Sequence, residues 1–178
     1  NVMEPVGFGK RFAASLIDIV LIVIGGMILG GVLGGMLGTA GGAVMGAAEE
    51  DPEMMAVGAG IGGVFGAIAG MGLGIGAAGI IFLIWEGLTG AAAGKLILGI
   101  RIKNADGSPA PVGQLIGRSA VKQIASVLTL TASVTGISVL STIGGFAGLI
   151  ILLGFFCVLG ANRQALHDMI VKTAVYPK

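Results

Sequence analysis

Charge is scarce in this chain. Asp, Glu, Lys and Arg make up 11% of its 178 residues, against about 25% in soluble domains. Ten bases and nine acids nearly cancel, leaving a formal net charge of +1, so no bulk attraction to nucleic acid is implied. Histidine occurs once, as His167, which excludes a zinc or di-metal site built from several His ligands of one chain. Cysteine also occurs once, as Cys157 in an apolar run, so no internal disulfide can form and the redox compartment is not readable. With so few nucleophile and base candidates, no Ser/His/acid or Cys/His arrangement is available for nucleophilic catalysis. The chain reads as a non-enzyme with no cofactor and no metal. Glycine is abundant, but without a three-residue period, which excludes collagen, and there is no Ser/Gln bias of the kind found in disordered linkers.

What replaces charge is long apolar sequence. Hydrophobic residues reach 55%, mean hydropathy is +1.03, and the apolar runs exceed the 18 residues or so that mark a membrane span. From Phe12 to Ala48 the only charge is Asp18; from Met54 to Trp85 and from Gln123 to Asn162 there is none. Lys10 and Arg11 precede the first run as they would in a signal peptide. The run is too long for an h-region, however, and reads as a retained membrane helix. The sequence opens at Asn1, so an initiator methionine or a longer N-terminus is expected ahead of it.

All ten bases lie outside the three runs, whereas Glu49, Glu50, Asp51 and Glu53 cluster between the first two. The positive-inside rule therefore places the N-terminus, the central segment and the C-terminal tail in the cytoplasm of a bacterial-type plasma (inner) membrane, and the acidic turn outside. The last run must leave and return, either as two short passes turning near Thr135 and Gly136 or as a re-entrant segment buried in protein. The expected fold is an all-α integral membrane protein of about four transmembrane helices, with a small cytoplasmic β-like segment and an interfacial helix. It forms one domain over 1–178: helix 1 at 12–48, helix 2 at 54–85, the cytoplasmic segment at 94–122, helices 3 and 4 or a re-entrant stretch at 123–162, and a tail at 163–178.

Two glycine ladders run through the first two spans. Gly26, Gly30, Gly34, Gly38, Gly42 and Gly46 form one; Gly58, Gly62, Gly66, Gly70 and Gly74 form the other. Small residues at i, i+4 let helix backbones approach closely in lipid. A four-residue step drifts by about 40° per rung on a 3.6-residue helix, so straight ladders should meet over only part of their length. The rest, near the acidic turn, would be left for another subunit. The first two runs would also reach ~55 and ~48 Å as helices, against a hydrocarbon core of ~30 Å. Besides the lipid bilayer, the expected partners are copies of the same chain or a larger membrane complex.

In the central segment, Ile100 to Lys103 alternates apolar and basic and reads as a strand. The stretch from Asn104 to Gly107 is turn chemistry. From Val112 to Ser126 the pattern is amphipathic, with Gln114, Arg118 and Lys122 four apart, which suits a helix on the membrane surface or a basic-faced entry to the third span. Thr173 to Tyr176 is a β-prone tail able to pair with the strand. Gly90 to Leu96 imitates a phosphate loop but is one residue short, lacks the Ser/Thr after Lys95 and follows no strand, so nucleotide binding is rejected. The acidic turn lacks the ligand spacing of a Ca²⁺ loop. Met45, Met54 and Met55 near it read as packing residues rather than a copper site.

Asp18 is the candidate for chemistry. An acid inside an apolar helix implies a partner or a function, and Arg11, Ser15 and Asp18 share one helix face. Arg11 lies about 10 Å away along the axis, a long reach unless its side chain bends inward. A structural ion pair and a proton or cation site are the two readings. Glu86, at the water boundary beside Trp85, can face Lys95, Arg101 or solvent. Near the C-terminus, Asp168 can pair with a base of the central segment, and His167, close to Arg163, could make such a lock pH-sensitive near neutrality.

Three stretches resemble the RDD family of small membrane proteins, named for an arginine and two aspartates. They are Gly9 to Asp18 (GKRFAASLID); Gly94 to Ile102 (GKLILGIRI), with the Asp106-Gly107 turn and Arg118; and Arg163 to Asp168 (RQALHD), followed by Thr173. The resemblance implies Arg11, Asp18 and Asp168 as the naming residues, supported by Ser15, Lys95, Arg118, Arg163 and His167; the glycine ladders are not part of that pattern. Some members of the family are linked to sodium/proton exchange, and others accompany larger membrane assemblies. Two functions are therefore expected of the chain: a structural, accessory or assembly component acting through glycine-mediated helix packing, or alternatively a cation/proton antiporter using Asp18.

Overall fold

The computed structural model describes residues 4–47 and 51–178. Glu49 and Glu50 of the acidic turn, and Ala48 at the expected end of helix 1, lie outside the described residues. Helix α1 runs Phe8–Ala47, α2 Pro52–Thr89 and α3 Ala93–Ile97. Strand β1 (Ile100–Asn104) is followed by α4 (Val112–Thr135), α5 (Ser138–Phe155), a 3-10 turn at Phe156–Leu159, α6 (Leu166–Ile170) and β2 (Thr173–Pro177). The protein is predominantly helical, with a single strand pair among the described residues. Three helical stretches, Phe8–Ala47, Pro52–Thr89 and Ser138–Leu159, are long and apolar enough to cross a membrane.

Length alone suggests one body, yet the chain divides into two compact units: residues 18–82, and residues 1–17 with 83–178. The 18–82 unit is the glycine hairpin. Asp51 accepts a hydrogen bond from the Glu53 N–H (2.9 Å), Pro52 takes the first helical position, and the Met55 N–H returns to the Asp51 carbonyl (3.0 Å). Such a start satisfies the free amides of a helix N-terminus without a bulky cap. The two ladders then face one another rung by rung. A Cβ on Gly26 would lie 2.5 Å from Ile75 Cα, and one on Gly30 would lie 2.8 Å from Gly74 Cα. A Cβ on Gly38 would lie 2.9 Å from Gly66 Cα, one on Gly42 2.7 Å from the Gly58 carbonyl carbon, and one on Gly46 2.6 Å from Met55 Cα. The ladders therefore meet over their whole length and leave no glycine rungs near the acidic turn for another subunit, contrary to the expectation from straight helices. The reason is geometric: a repeat longer than 3.6 residues stays in register when two helices wind around one another in the right-handed sense.

In the other unit, α4 and α5 form a hairpin. Gly136 takes a left-handed conformation (φ 72°) and returns its N–H to the Ala132 carbonyl at 2.9 Å, so the chain reverses where sequence pattern placed the turn. Gly144 and Gly148 bring α5 against Ala125 on α4. Helix α4 is continuous, so the amphipathic stretch and the first part of the third apolar run, up to Thr135, are one helix. Only 13 of its residues follow Lys122, about 20 Å of helix, so it does not clear the length of a span on its own.

The small sheet is antiparallel, with Ile100 opposite Pro177 and Asn104 opposite Thr173, the pairing expected for the tail. Alternation works as the pattern requires: Ile100 and Ile102 are buried and Arg101 is exposed. Val6 extends the edge by donating its N–H to the Val175 carbonyl (2.8 Å). Val6, Ala14, Ile100, Ile102, Leu115 and Val175 form the core. The N-terminus, the central segment and the tail are thereby built into a single compact unit.

Candidate functional site

The same unit encloses a continuous cluster of charged side chains. Each comes from a different place: Arg11 from the first turn of α1, Glu86 from the last turn of α2, Lys95 from α3, Arg118 and Lys122 one turn apart on α4, and His167 and Asp168 from α6. Arg118 is the hub. Its Nε donates to Asp168 Oδ1 (2.5 Å), Nη1 to Glu86 Oε1 (2.7 Å), and Nη2 lies 3.1 Å from His167 Nε2. Three nitrogens on three partners is a use of the planar guanidinium that lysine cannot reproduce.

Arg11 is equally committed. Nη1 donates to Asp168 Oδ2 (2.5 Å), Nε to the Val6 carbonyl (3.1 Å) and Nη2 to the Arg163 carbonyl (2.6 Å). Arg163 thus enters the cluster through its backbone, held in a left-handed conformation (φ 47°), while its side chain reaches Glu4 at 3.0 Å near the surface. Asp168 is wholly buried. Besides the two guanidiniums it accepts the Ala165 N–H (3.3 Å) and the Thr173 hydroxyl (3.5 Å). Glu86 accepts from Lys95, Arg118 and Lys122, the last at 2.6 Å. Four basic side chains, Arg11, Lys95, Arg118 and Lys122, meet two carboxylates, Glu86 and Asp168, so bases outnumber acids by two.

Burial pushes the Asp168 carboxyl up, but Arg118 and Arg11 beside it outweigh this and hold it well below the usual carboxylate range. His167 moves to about 3, through burial first and the Arg118 charge second. A guanidinium only donates, so the imidazole Nε2 facing Arg118 is the acceptor and the proton sits on Nδ1, which has no partner among the described residues. The histidine is therefore neutral at physiological pH, and the near-neutral switch expected of it is absent. Below its ordinary value of 6.5, the unfolded chain binds a proton that the folded chain refuses. Stability accordingly falls as pH drops from about 6.5 towards 3, by about 1.4 kcal/mol per pH unit at the steepest. Asp168 adds a loss of the same sign below its ordinary 3.8. A pH series of denaturant unfolding in micelles checks this: His167→Gln, which keeps an acceptor for Arg118 but cannot titrate, should flatten the slope between pH 6 and 4.5. An unchanged slope would remove His167 as its source.

Of the residues singled out from sequence, the structure brings together Arg11, Lys95, Arg118, Arg163, His167 and Asp168. Asp18 and Ser15 are half-buried, and Asp18 falls in the glycine-hairpin unit, not in the unit holding this cluster. The base expected to answer Asp18, Arg11, directs its donors at Val6, Asp168 and Arg163. Glu86 and Lys122 were not among the expected site residues. The signal for Glu86 was its isolation: it is the one acid between Glu53 and Asp106, in a stretch holding Lys95, Arg101 and Lys103. Arg101 instead donates to the Thr89 carbonyl at 2.8 and 3.0 Å. Lys95, the residue that imitated a phosphate-loop lysine, is buried against Glu86. No group of three or more His, Cys, Asp or Glu side chains that could hold a metal gathers among the described residues.

No curated protein and no solved structure matches the chain. The model of the RDD family matches residues 5–172, nearly the whole length and every segment that feeds the cluster. An arginine of the first helix, joined through an aspartate of the tail to the centre of the molecule, is thus carried in the context of a family-wide match: the chain is a membrane protein belonging to the RDD family.

Proposed function

We propose that this protein is a structural or accessory component of a membrane assembly, inserted with both termini in the cytoplasm of a bacterial-type inner membrane. The observation that carries the reading is the length and exposure of the glycine hairpin. Helices of 40 and 38 residues reach ~60 and ~57 Å, about twice the hydrocarbon thickness. Towards the tip their outward residues are large and apolar: Leu37 is 74% exposed, Val44 73% and Met45 78%. Apolar surface carried beyond one bilayer crossing needs cover, and the glycines, already spent on each other, do not supply it. The cover we assign is a second copy or a larger membrane complex, seated on the outward faces rather than in the glycine groove. Orientation is supported by the gathering of the three basic segments in one compact unit, which puts them on one side of the membrane.

The buried cluster supports the same reading from its chemistry. Both carboxylates are saturated by guanidinium and ammonium groups of the same chain, so they clasp chain segments together and offer no open seat for an exchanged cation. A photo-crosslinking residue at Val44 in native membranes should give one discrete protein adduct, whereas one at Ile28, deeper in the hydrophobic run, should give none. Monomer alone at both positions would overturn the proposal. Cation/proton exchange is the second reading, favoured by Asp18, a half-buried acid within an apolar helix. Its test is sodium/proton exchange in proteoliposomes: exchange lost in Asp18→Asn would establish it, and exchange absent from the wild type would end it.

A further inference from the structure

Three elements of the unit that holds the ion cluster bury their charges and expose their large apolar side chains. In α3, Lys95 is buried against Glu86, while the next two residues, Leu96 and Ile97, are exposed, Ile97 by 65%. In α6, His167 and Asp168 are buried against Arg118, while the next two, Met169 and Ile170, are exposed, Ile170 by 57%. The first turns of α4 repeat the pattern: Arg118 and Ser119 lie inside, and Val112 and Ile116 stand outside. Single exposed apolar residues are ordinary on a soluble surface. Elements whose inner positions are charged and whose outer positions are apolar are not, because water selects the opposite arrangement.

The ion cluster makes this inversion possible. Lys95 reaches Glu86, and Asp168 accepts from Arg11 and Arg118, so the charges of α3 and α6 meet their partners inside the protein and neither short helix presents one outward. Chain position identifies what covers the outer residues. Helix α3 begins at Ala93, four residues after α2 ends at Thr89, and α6 begins at Leu166, seven residues after the third membrane-crossing stretch ends at Leu159. The bilayer is therefore the apolar phase nearest to each. Val171, directly after α6, packs at Gly117 of α4, where an added Cβ would lie 3.6 Å from its Cγ1, which sets α6 beside the first turns of α4. Pattern alone supports a membrane-surface position for α4 and leaves the segments of α3 and α6 in the cytoplasm. We propose that α3 and α6 are set into the cytoplasmic leaflet, with Leu96, Ile97, Met169 and Ile170 against its acyl chains, in the manner of interfacial helices. The choice of leaflet rests on the orientation proposed above; the embedding does not.

The test is the collision accessibility of single nitroxide labels in the full chain, with Cys157 replaced by serine, reconstituted in phosphatidylcholine vesicles. Oxygen concentrates in lipid and a nickel chelate in water. Labels at Ile97 and Ile170 should favour oxygen over the chelate several-fold more than a label at Asp106, on the exposed turn of the central segment, and should match a label at Ile28, exposed on the first apolar run. Both positions are exposed, so the labels displace no packing. Accessibility to nickel like that of Asp106 at either position would place the helix in water and overturn the proposal. Low collision with both reagents would overturn it as well, since a second copy or another protein would then be the cover. A measurement without labels gives the same answer: with Trp85 replaced by phenylalanine, a tryptophan at Ile170 should be quenched by brominated acyl chains, and unquenched emission would count against the embedding. These readouts separate lipid from water on either face of the membrane, so an error in the proposed orientation would leave them unchanged.

Discussion

Gly34→Leu should unzip the hairpin of α1 and α2, whereas Gly72→Leu, the same change on the same hairpin, should be tolerated. A Cβ on Gly34 falls well inside contact distance of the Gly66 carbonyl oxygen and 2.7 Å from Gly70 Cα, both backbone atoms that cannot rotate away. Nothing lies within 4 Å of a Cβ on Gly72. Overpacking a core commonly costs 1–3 kcal/mol. Here the obstruction is backbone, so the helices must separate towards an ordinary spacing of ~8–10 Å, and the neighbouring rungs lose contact with them. Propensity pulls the other way, since leucine gains close to 1 kcal/mol over glycine in a helix. If propensity governed, both variants would be stabilised. Spin labels at the exposed positions Met36 and Phe65, in a chain with Cys157 replaced by serine, report the outcome: the inter-label distance should widen by several ångströms in Gly34→Leu and stay unchanged in Gly72→Leu. Unchanged distances in both would show that the rungs do not set the spacing.

That contrast marks what was legible in the sequence. A four-residue glycine period is a local property, so both ladders could be read directly. Which surface each ladder faces depends on how the two helices wind: straight rods would drift apart and free the outer rungs, whereas these helices keep Gly42 against Gly58 and Gly46 against Met55. The strand pair was legible for the same local reason, because alternation at Ile100 to Lys103 and β-branched residues at Thr173 and Val175 each state their preference within a few residues. The turn at Gly136 was visible as a glycine breaking a polar, β-branched helix end. In the cluster, Arg11, Arg118, His167 and Asp168 stood out as charges at the edges of apolar runs. The pairing of Asp168 with a base of the central segment was legible too, and Arg118 is that base; its pairing with Arg11 was not, because Arg11 and Asp168 are brought together by the path of the whole chain. Glu86 beside Trp85 has the pattern of a residue at the membrane–water boundary, and only the placement of α3 and α4 around the end of α2 turns it into the anchor of three bases. The fate of His167 was hidden for a related reason: its ordinary titration range is a property of the free side chain, and burial against Arg118 overrides it.

Asp168→Asn should be among the most damaging single changes outside the hairpin. The carboxylate is wholly buried and holds Arg11 through one oxygen and Arg118 through the other, each at 2.5 Å. Asparagine preserves the shape and can still cap Ala165, so packing alone predicts a mild effect. Charge predicts otherwise, because two guanidiniums would remain buried against a neutral amide in a cluster where bases already outnumber acids. Leaving a buried charge without its partner costs about 3–5 kcal/mol, roughly a hundredfold or more in the folding equilibrium. The loss should appear where Asp168 ties chain segments together. Trypsin cleavage at Lys103, within β1 and opposite Ala174 of β2, requires that pair to open, so it should accelerate by about two orders of magnitude in micelles. Arg118→Lys should behave similarly despite keeping the charge, since one ammonium cannot serve Asp168, Glu86 and His167 together. The decisive comparison is Arg11→Gln with Asp168→Asn. Removing Arg11 relieves one of the stranded charges, so the double variant should be less destabilised than the sum of the two single changes, with a coupling of about 1–3 kcal/mol. Strict additivity would mean that Arg11 and Asp168 do not depend on one another, and the view of the cluster as a clasp joining the first helix to the tail would fall with it.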